Sequence, residues 1–459
     1  MNFALLSQRT IQGVALTLLL GGCATFSSDG GFDSVSQIAE SRLGKTVKPI
    51  RSNEDSQRVD ASIKTLLAKP LTADDAVQIA LLNNRGLQAG YAELGIAEAD
   101  LVQAGRLQNP RFDFKHVTQG ADTIIERTFT LSLINIIMLP QVNRLEHQRF
   151  AAVKLHVANQ VLHLAAETRK AYFEAVAAQQ SVVYARQVNA AAEAGAELGG
   201  RMARVGNWSK LDQHREQMFY ADATTALSRA QKASVMTREK LTRLMGLWGD
   251  QTRFQLPERL PDLPAKPLQV EDAEAFAIQN RLDIQAAKQQ TASLATSLGL
   301  TRTTRFINVL DLGYVRNTES GLPRATGYEL SLEIPVFDWG GARVAKSEAI
   351  YMQSVNYLAE TAVNARSEVR ESYLGYRSAY DLARHYRDNI VPLRKRIADE
   401  NLLRYNGMLI SVFELLADAR EQVLSVDGYI NALKDYWVAQ TDLSAALGGQ
   451  LPANLSNKE

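Results

Sequence analysis

Cysteine is nearly missing: Cys23 is the only one in 459 residues. A single thiol excludes an intrachain disulfide framework and a thiolate metal cluster. Proline and glycine are also scarce, 12 and 28, which favours long uninterrupted elements. Neither sign of charge is in excess, with Lys+Arg 51 against Asp+Glu 50, so the basic surplus expected of a nucleic-acid binder is missing. No run of 18 apolar residues occurs after the N-terminus. No transmembrane helix is therefore written, and a membrane crossing would have to be made with strands. There is no P-loop, HExxH or GxSxG. His156 and His163 share a helix face two turns apart but lack metal-spaced carboxylates, which suits packing or solvent. Nothing argues for an enzyme, a cofactor or a resident metal. The length leaves room for two or three domains.

What is present begins with a processing signal. Met1 to Arg9 is short and weakly basic, and Ile11 to Leu20 is an apolar stretch too short to span a bilayer. Gly21 and Gly22 follow, so residues 1–22 read as a secretory signal peptide. The ending Leu20-Gly21-Gly22-Cys23 resembles the bacterial lipobox. That resemblance implies cleavage before Cys23 and lipidation of its thiol, the chain's natural nucleophile. Two or three acyl chains anchor stably where one is marginal. By resemblance to sorted lipoproteins, Ala24 in place of Asp implies export to the outer membrane. A chance cysteine at an ordinary cleavage site is the alternative. Residues 23–70 are polar and unrepeated, and read as a lipidated N-terminal extension.

The rest of the chain is written twice. "DDAVQIALLNNRGLQAG" (74–90) matches "EDAEAFAIQNRLDIQAA" (271–287) at an offset of 197, including Asn83 with Asn280. "RKAY" (169–172) matches "RESY" (370–373), and Gly206 matches Gly407, both at 201. "LMG" (244–246) matches "ALG" (446–448) at 202. The expected units are 71–260 and 268–451, joined by a proline-rich linker ending at 261–267, with a tail at 452–459. Each unit opens with a helix of about 37 residues, 71–107 in the first, with Thr72 as a candidate N-cap. A strand pair follows, 111–136 in the first unit and 305–336 in the second. Phe112 and Phe114 alternate with Arg111, Asp113 and Lys115. Phe129, Leu131 and Leu133, like Tyr328, Leu330, Leu332 and Ile334, alternate with polar residues. Such strands suit a membrane wall with a wet interior. Alanine-rich stretches 141–206 and 342–407 then predict helices of roughly 95–100 Å each, the second bent at Pro392. A shorter helix returns from each turn.

Four strands cannot close, and open edges in lipid leave backbone groups unpaired. The chain must therefore oligomerise to cross a membrane. Eight strands from a dimer would be filled by side chains. Twelve from a homotrimer are the first count that leaves a pore. The expected fold class is mainly α with a small β part: a tandem repeat forming a long α-helical barrel and four strands of a trimeric 12-stranded barrel.

These residues resemble the TolC family of outer-membrane efflux proteins. The likeness rests on the paired "DDAVQIALLNN" and "EDAEAFAIQN", on "IPVFDWGGARVAKSEA" (334–349) and on "RYNGMLISVFELL" (404–416), and covers roughly 71–450. The resemblance implies a lipid-anchored homotrimer forming the exit duct of a tripartite pump, with a periplasmic adaptor and an inner-membrane transporter. The chain departs from the family pattern in having Arg85 after Asn84, and Met408, Leu409 and Ile410 where an arginine is usual.

A duct needs an entrance, and the two helical turns are the candidates. Ser209 pairs with Ser411, Asp212 with Glu414, and Glu216 with Asp418. Each turn thus carries two acids at i, i+4, mildly repulsive in an isolated helix. The expected role is a cation-favouring entrance held shut through Arg204, Arg404 or Tyr405. The resemblance places Tyr405, Asp212 and Glu414 at positions of the family's closing network. First-turn acids complementing the helix dipole are the alternative. The tips Val205, Gly206, Asn207, Trp208, Gly407, Met408, Leu409 and Ile410 are expected to dock the adaptor or to cap the helical core. The rival to a duct is a periplasmic coiled-coil spacer without a pore; an outer-membrane lipoprotein enzyme is less favoured still.

Overall fold

The computed structural model describes residues 25–270, 272–307 and 309–450. The expected signal peptide, Cys23 and the expected tail at 452–459 lie outside these residues. Two short helices come first, α1 (Phe32–Leu43) and α2 (Asn53–Leu67), then α3 (Ala73–Asn83) and α4 (Arg85–Ala104). Strands β1 (Arg111–Gln119) and β2 (Asp122–Ser132) lead into the long α5 (Leu133–Arg204) and its return, α6 (Lys210–Met245). The order then recurs: α7 (Ala273–Asn280), α8 (Leu282–Thr304), β3 (Leu310–Glu319), β4 (Ala325–Leu332), α9 (Gly341–His385), α10 (Val391–Asn406) and α11 (Val412–Ala446). A π-turn, Tyr386–Ile390, joins α9 to α10.

The chain divides into two compact units that ignore the repeat boundary. One holds 91–157 and 282–362 with the N-terminus to Val35; the other holds 36–90, 158–281 and 363 onward. Each therefore draws on both halves of the sequence.

The first unit contains the sheet, antiparallel in the order β1-β2-β3-β4. Its register sets Phe112 opposite Phe129, Phe129 opposite Tyr314 and Tyr314 opposite Tyr328. Directly opposed residues share a face, so one aromatic row crosses all four strands. Two residues along lies a row of Leu131, Leu312 and Leu330, and beyond it Leu310 with Leu332. The other face carries Arg111, Asp113, Lys115, Glu126, Asp311 and Glu329. Lys115 pairs with Glu126 at 3.3 Å and Arg111 with Asp113 at 2.9 Å. Among the described residues, β1 and β4 each have a strand on one side only.

Several boundaries differ from the expected ones. The opening helix is two helices, because Asn84 adopts extended backbone (φ −61, ψ 119). Its side chain then accepts the Leu87 N–H at 3.0 Å and donates to the Leu244 carbonyl at 2.9 Å. Arg281 makes the equivalent break in the second half. The first long helix starts at Leu133, ahead of Pro140, which continues it. Proline's fixed φ is compatible with a helix, at the cost of one backbone bond and of crowding between its ring and the carbonyl four residues back. Leu133 is accordingly helical and does not extend β2. The first strand of the second hairpin begins at Leu310, since α8 runs on to Thr304.

The second unit holds the larger core. Tyr376, Tyr380 and Tyr436 are fully buried within it. The proline-rich join is fastened to this core: Leu256, Leu260 and Leu263 are buried, Leu268 N–H donates to the Tyr376 hydroxyl at 2.7 Å, and Tyr380 donates to the Ala265 carbonyl at 2.8 Å. The first of the two repeated asparagines has its task here, while Asn280 donates to the Phe276 carbonyl of its own helix. Asn83 is buried and donates to the carbonyls of Met245 and Gly246, capping the end of α6. Gly246 sits at φ +67, and a Cβ there would stand 2.9 Å from the Asn83 carbonyl oxygen. At the end of α11, Arg42 from the N-terminal extension takes over, donating to the Gly448 carbonyl at 2.7 Å.

Candidate functional site

Both helical turns lie in the second unit. In the first, Val205 N–H bonds Arg201, Gly206 bonds Ala203 and Asn207 bonds Met202. In the second, Gly407 bonds Leu403, Met408 bonds Tyr405 and Leu409 bonds Arg404. The two patterns superimpose at an offset of 202. Gly206 thus corresponds to Met408, not to Gly407, and both hold the left-handed conformation, φ +80 and +60. The offset is 201 at Arg169/Arg370. The extra residue is taken up in the π-turn, where Val391 N–H reaches back five residues to the Tyr386 carbonyl just before Pro392, which has no N–H.

The acids divide into two kinds. Asp212 and Glu414 are the third residues of α6 and α11. Asp212 N–H donates to the Ser209 hydroxyl at 3.1 Å, and that hydroxyl donates to its carboxylate at 2.7 Å. Glu414 completes a full capping box: its N–H donates to Ser411 at 3.2 Å, and Ser411 N–H donates to its carboxylate at 3.0 Å. Arg215 lies 3.5 Å from Asp212. Glu414 is exposed and Asp212 half-buried.

One turn on, Glu216 is 1% exposed. It accepts from Arg420 of α11 at 2.5 Å, so the pair ties the two hairpins together. Arg420 also lies over the Phe219 ring at 4.5 Å. Space for Glu216 comes from α5: a Cβ at Gly195 would stand 3.4 Å from its carboxylate, and one at Gly199 3.5 Å from its Cβ. Asp418 accepts from Asn401 across the second hairpin. Asn401 corresponds to Gly199 at the offset of 202. The two acids of each turn therefore do not act as one set.

Arg404 is exposed and engages Glu400 at 3.3 Å. Arg204 and Tyr405 are exposed. Of the tip residues, Val205, Met408 and Leu409 project into solvent, as do the polar or small Gly206, Asn207 and Gly407, while Ile410 is half-buried. Trp208 instead folds back on α5, and a Cβ at Gly199 would meet its ring at 2.9 Å. Sequence reasoning missed Arg420, Gly195 and Gly199. The four-residue glycine spacing inside an alanine-rich helix was the available sign of a close helix approach.

The arrangement of sheet and paired helical hairpins also occurs in solved outer-membrane channels. The Campylobacter jejuni CmeC outer-membrane channel is similar over 92% of this chain and 93% of its own, with a TM-score of 0.69 at 15% identity. The Neisseria gonorrhoeae MtrE outer-membrane channel, in its open state, is similar over 81% of this chain and 88% of its own, with a TM-score of 0.68 at 16% identity. The chain has the fold of the TolC-type outer-membrane channels. Among curated sequences, the cobalt-zinc-cadmium resistance protein CzcC of Cupriavidus metallidurans is 24% identical over 310 residues, 66% of this chain and 69% of that protein. No family model matches the chain. In this channel fold the four-stranded sheet and the helical tips are the two places at which function has to be sought. Among the described residues no helix is long and apolar enough to span a bilayer, and no group of three or more His, Cys, Asp or Glu could hold a metal ion.

Proposed function

We propose that the protein is the outer-membrane exit duct of a tripartite efflux system, a passive homotrimeric channel that meets a periplasmic adaptor and an inner-membrane pump. The observation that carries this reading is the sheet: four strands with open edges and an exposed face built of aromatic and leucine rows. Tyr328, Leu330, Leu332, Ile334, Val336 and Phe337 are all exposed. The eight residues of β4 cover roughly 25 Å along the strand direction, close to the height of an outer-membrane apolar band. Water does not tolerate such a face and lipid does, while lipid does not tolerate the open edges. Both demands are met when three copies close twelve strands.

Lipidation at Cys23 supplies the anchor in this reading. The name of CzcC, together with acids near the tips, favours cationic cargo, divalent metal ions included. Asp212 and Glu414 combine two duties here: each caps its helix, and each leaves charge at the entrance that Arg204, Arg404 or Tyr405 holds closed. Val205, Met408 and Leu409 form the apolar points on which the adaptor docks.

Planar-bilayer recording of the purified protein tests the duct. Stable, cation-preferring single-channel steps are expected. Absence of conductance from an intact trimer would favour the pore-free spacer. Asp212→Asn with Glu414→Gln keeps side chains compatible with capping while removing charge. That variant is expected to conduct with reduced cation preference, and an unchanged reversal potential would overturn the gate assignment.

A further inference from the structure

The sheet sorts its charges by face. Every acid of the four strands, Asp113, Asp122, Glu126, Asp311, Glu319 and Glu329, lies on the face opposite the aromatic row. Acids meet cations on that face, as Glu126 meets Lys115. The aromatic face carries only arginine charge. Arg127 and Arg316 stand directly opposed on β2 and β3, between Phe114 of β1 and Thr326 of β4.

Within the chain this pair is unfavourable. Directly opposed side chains have Cβ atoms about 4.5–5.5 Å apart, and like charges so placed repel. Neither arginine forms an ion pair among the described residues. Arg127 lies over the Phe114 ring, 5.8 Å from its centroid. The Nε of Arg316 is covered and finds no acceptor. Both side chains are half-buried, so part of each stays accessible. A ligand that relieves the repulsion must carry negative charge.

The position of the pair along the wall narrows the choice of anion. The aromatic face is graded. From the strand ends that join the helices come Leu310 with Leu332, then Leu131, Leu312 and Leu330, then the aromatic row. The arginine row is next. Beyond it, toward the two hairpin turns, lie His116, Ile125 and Thr318, then Thr118 and Thr123. Aromatic rows mark the edge of an apolar band, where an arginine costs far less than at the bilayer midplane. The arginines therefore stand at headgroup height. The helices leave from the opposite strand ends, so with the helices in the periplasm this row faces the outer leaflet. The planar guanidinium fork matches a phosphate bidentately. The hydroxyls of Thr326, Thr318 and Thr123 nearby on the same face suit a sugar.

We propose that Arg127 and Arg316 clasp a phosphate of a phosphorylated glycolipid of the outer leaflet, fixing a headgroup against the rim of the aromatic row. The proposal rests on the reading of the sheet as a membrane wall.

The test titrates the full chain, purified in detergent, with bisphosphorylated lipid A and counts bound lipid by native mass spectrometry. Binding is expected to fall at least tenfold in Arg127→Gln with Arg316→Gln. Arg127→Lys with Arg316→Lys keeps the charge but loses the fork, and should lie between. Dephosphorylated lipid A and phosphatidylglycerol should each bind the unaltered chain at least tenfold more weakly than lipid A. Equal binding of lipid A and its dephosphorylated form would overturn the site, as would equal binding by the unaltered chain and the glutamine variant. Phosphatidylglycerol bound as tightly as lipid A, or lipid A displaced by equimolar inorganic phosphate, would overturn the glycolipid assignment. If the glutamine variant does not assemble, the lipid comparison on the unaltered chain still decides. Bilayer recording of the same sample separates this site from the duct. A conducting protein indifferent to the phosphate would overturn the site alone, and one that neither conducts nor binds lipid A would overturn both.

Discussion

The two helical turns share one backbone design and differ in what fills it. Each has the same hydrogen-bond ladder, a left-handed residue, and a serine N-cap followed by an acid. In the first turn the left-handed residue is Gly206, and the next acid, Glu216, is buried against glycines and neutralised from the other hairpin. In the second it is Met408, and the next acid, Asp418, is served within its own hairpin by Asn401. The first tip's second acid is therefore neutralised from the other hairpin and the second tip's from its own, and the second tip carries backbone strain at Met408. Spacing alone could not distinguish them, because the residues that decide the matter, Gly199 against Asn401 and Arg420 against Met218, act across helices.

The largest expected effect separates buried Glu216 from half-buried Asp418. Glu216→Ala leaves Arg420 facing an empty pocket, and breaking a buried ion pair is strongly destabilising. Since Arg420 keeps some solvent contact, about 2–3 kcal/mol of local stability should be lost, read as faster amide exchange in both hairpins. Asp418→Ala should affect the second hairpin alone; equal spread would deny the cross-hairpin role of Glu216. Next, Gly199→Leu forces a side chain into the Trp208 ring and should cost about 1–3 kcal/mol. Restored Trp208 fluorescence mobility without any stability change would show the packing to be incidental. Opposite signs are expected at the left-handed residues: Met408→Gly should stabilise its turn by about 1 kcal/mol and Gly206→Ala destabilise its own by a similar amount, checked by local exchange or limited proteolysis. Smallest, Ser209→Ala and Ser411→Ala each remove a cap, worth about 1 kcal/mol. Exchange confined to the first turns of α6 and α11 would confirm that they act locally.

Much of the fold was legible because it depends on short-range periodicity. Alternation along "RTFTLSL" marks a two-faced strand, and Thr72 with Asp75 marks a helix start that the structure shows as a reciprocal box. Asn83 was visible as a repeated residue, but its task was not, since the carbonyls it caps are more than 160 residues away. The single-residue shift between the halves was visible too, yet assigned to the wrong side of the turn. Pairing Gly206 with Gly407 follows residue identity, whereas the conformation follows the hydrogen-bond ladder, and a methionine accepts the left-handed site when the ladder demands it.

What the sequence by itself determined is the set of local choices: strands with one apolar face, long alanine-rich helices, serine caps, and the doubling of the whole plan. These follow from side-chain period and backbone preference within a few residues. Only the tertiary structure decided which acids remain free, where the inserted residue is absorbed, and which charges share a face of the sheet. Those outcomes depend on groups brought together from distant parts of the chain, where a carboxylate's partner, or its lack of one, is settled by packing and not by spacing.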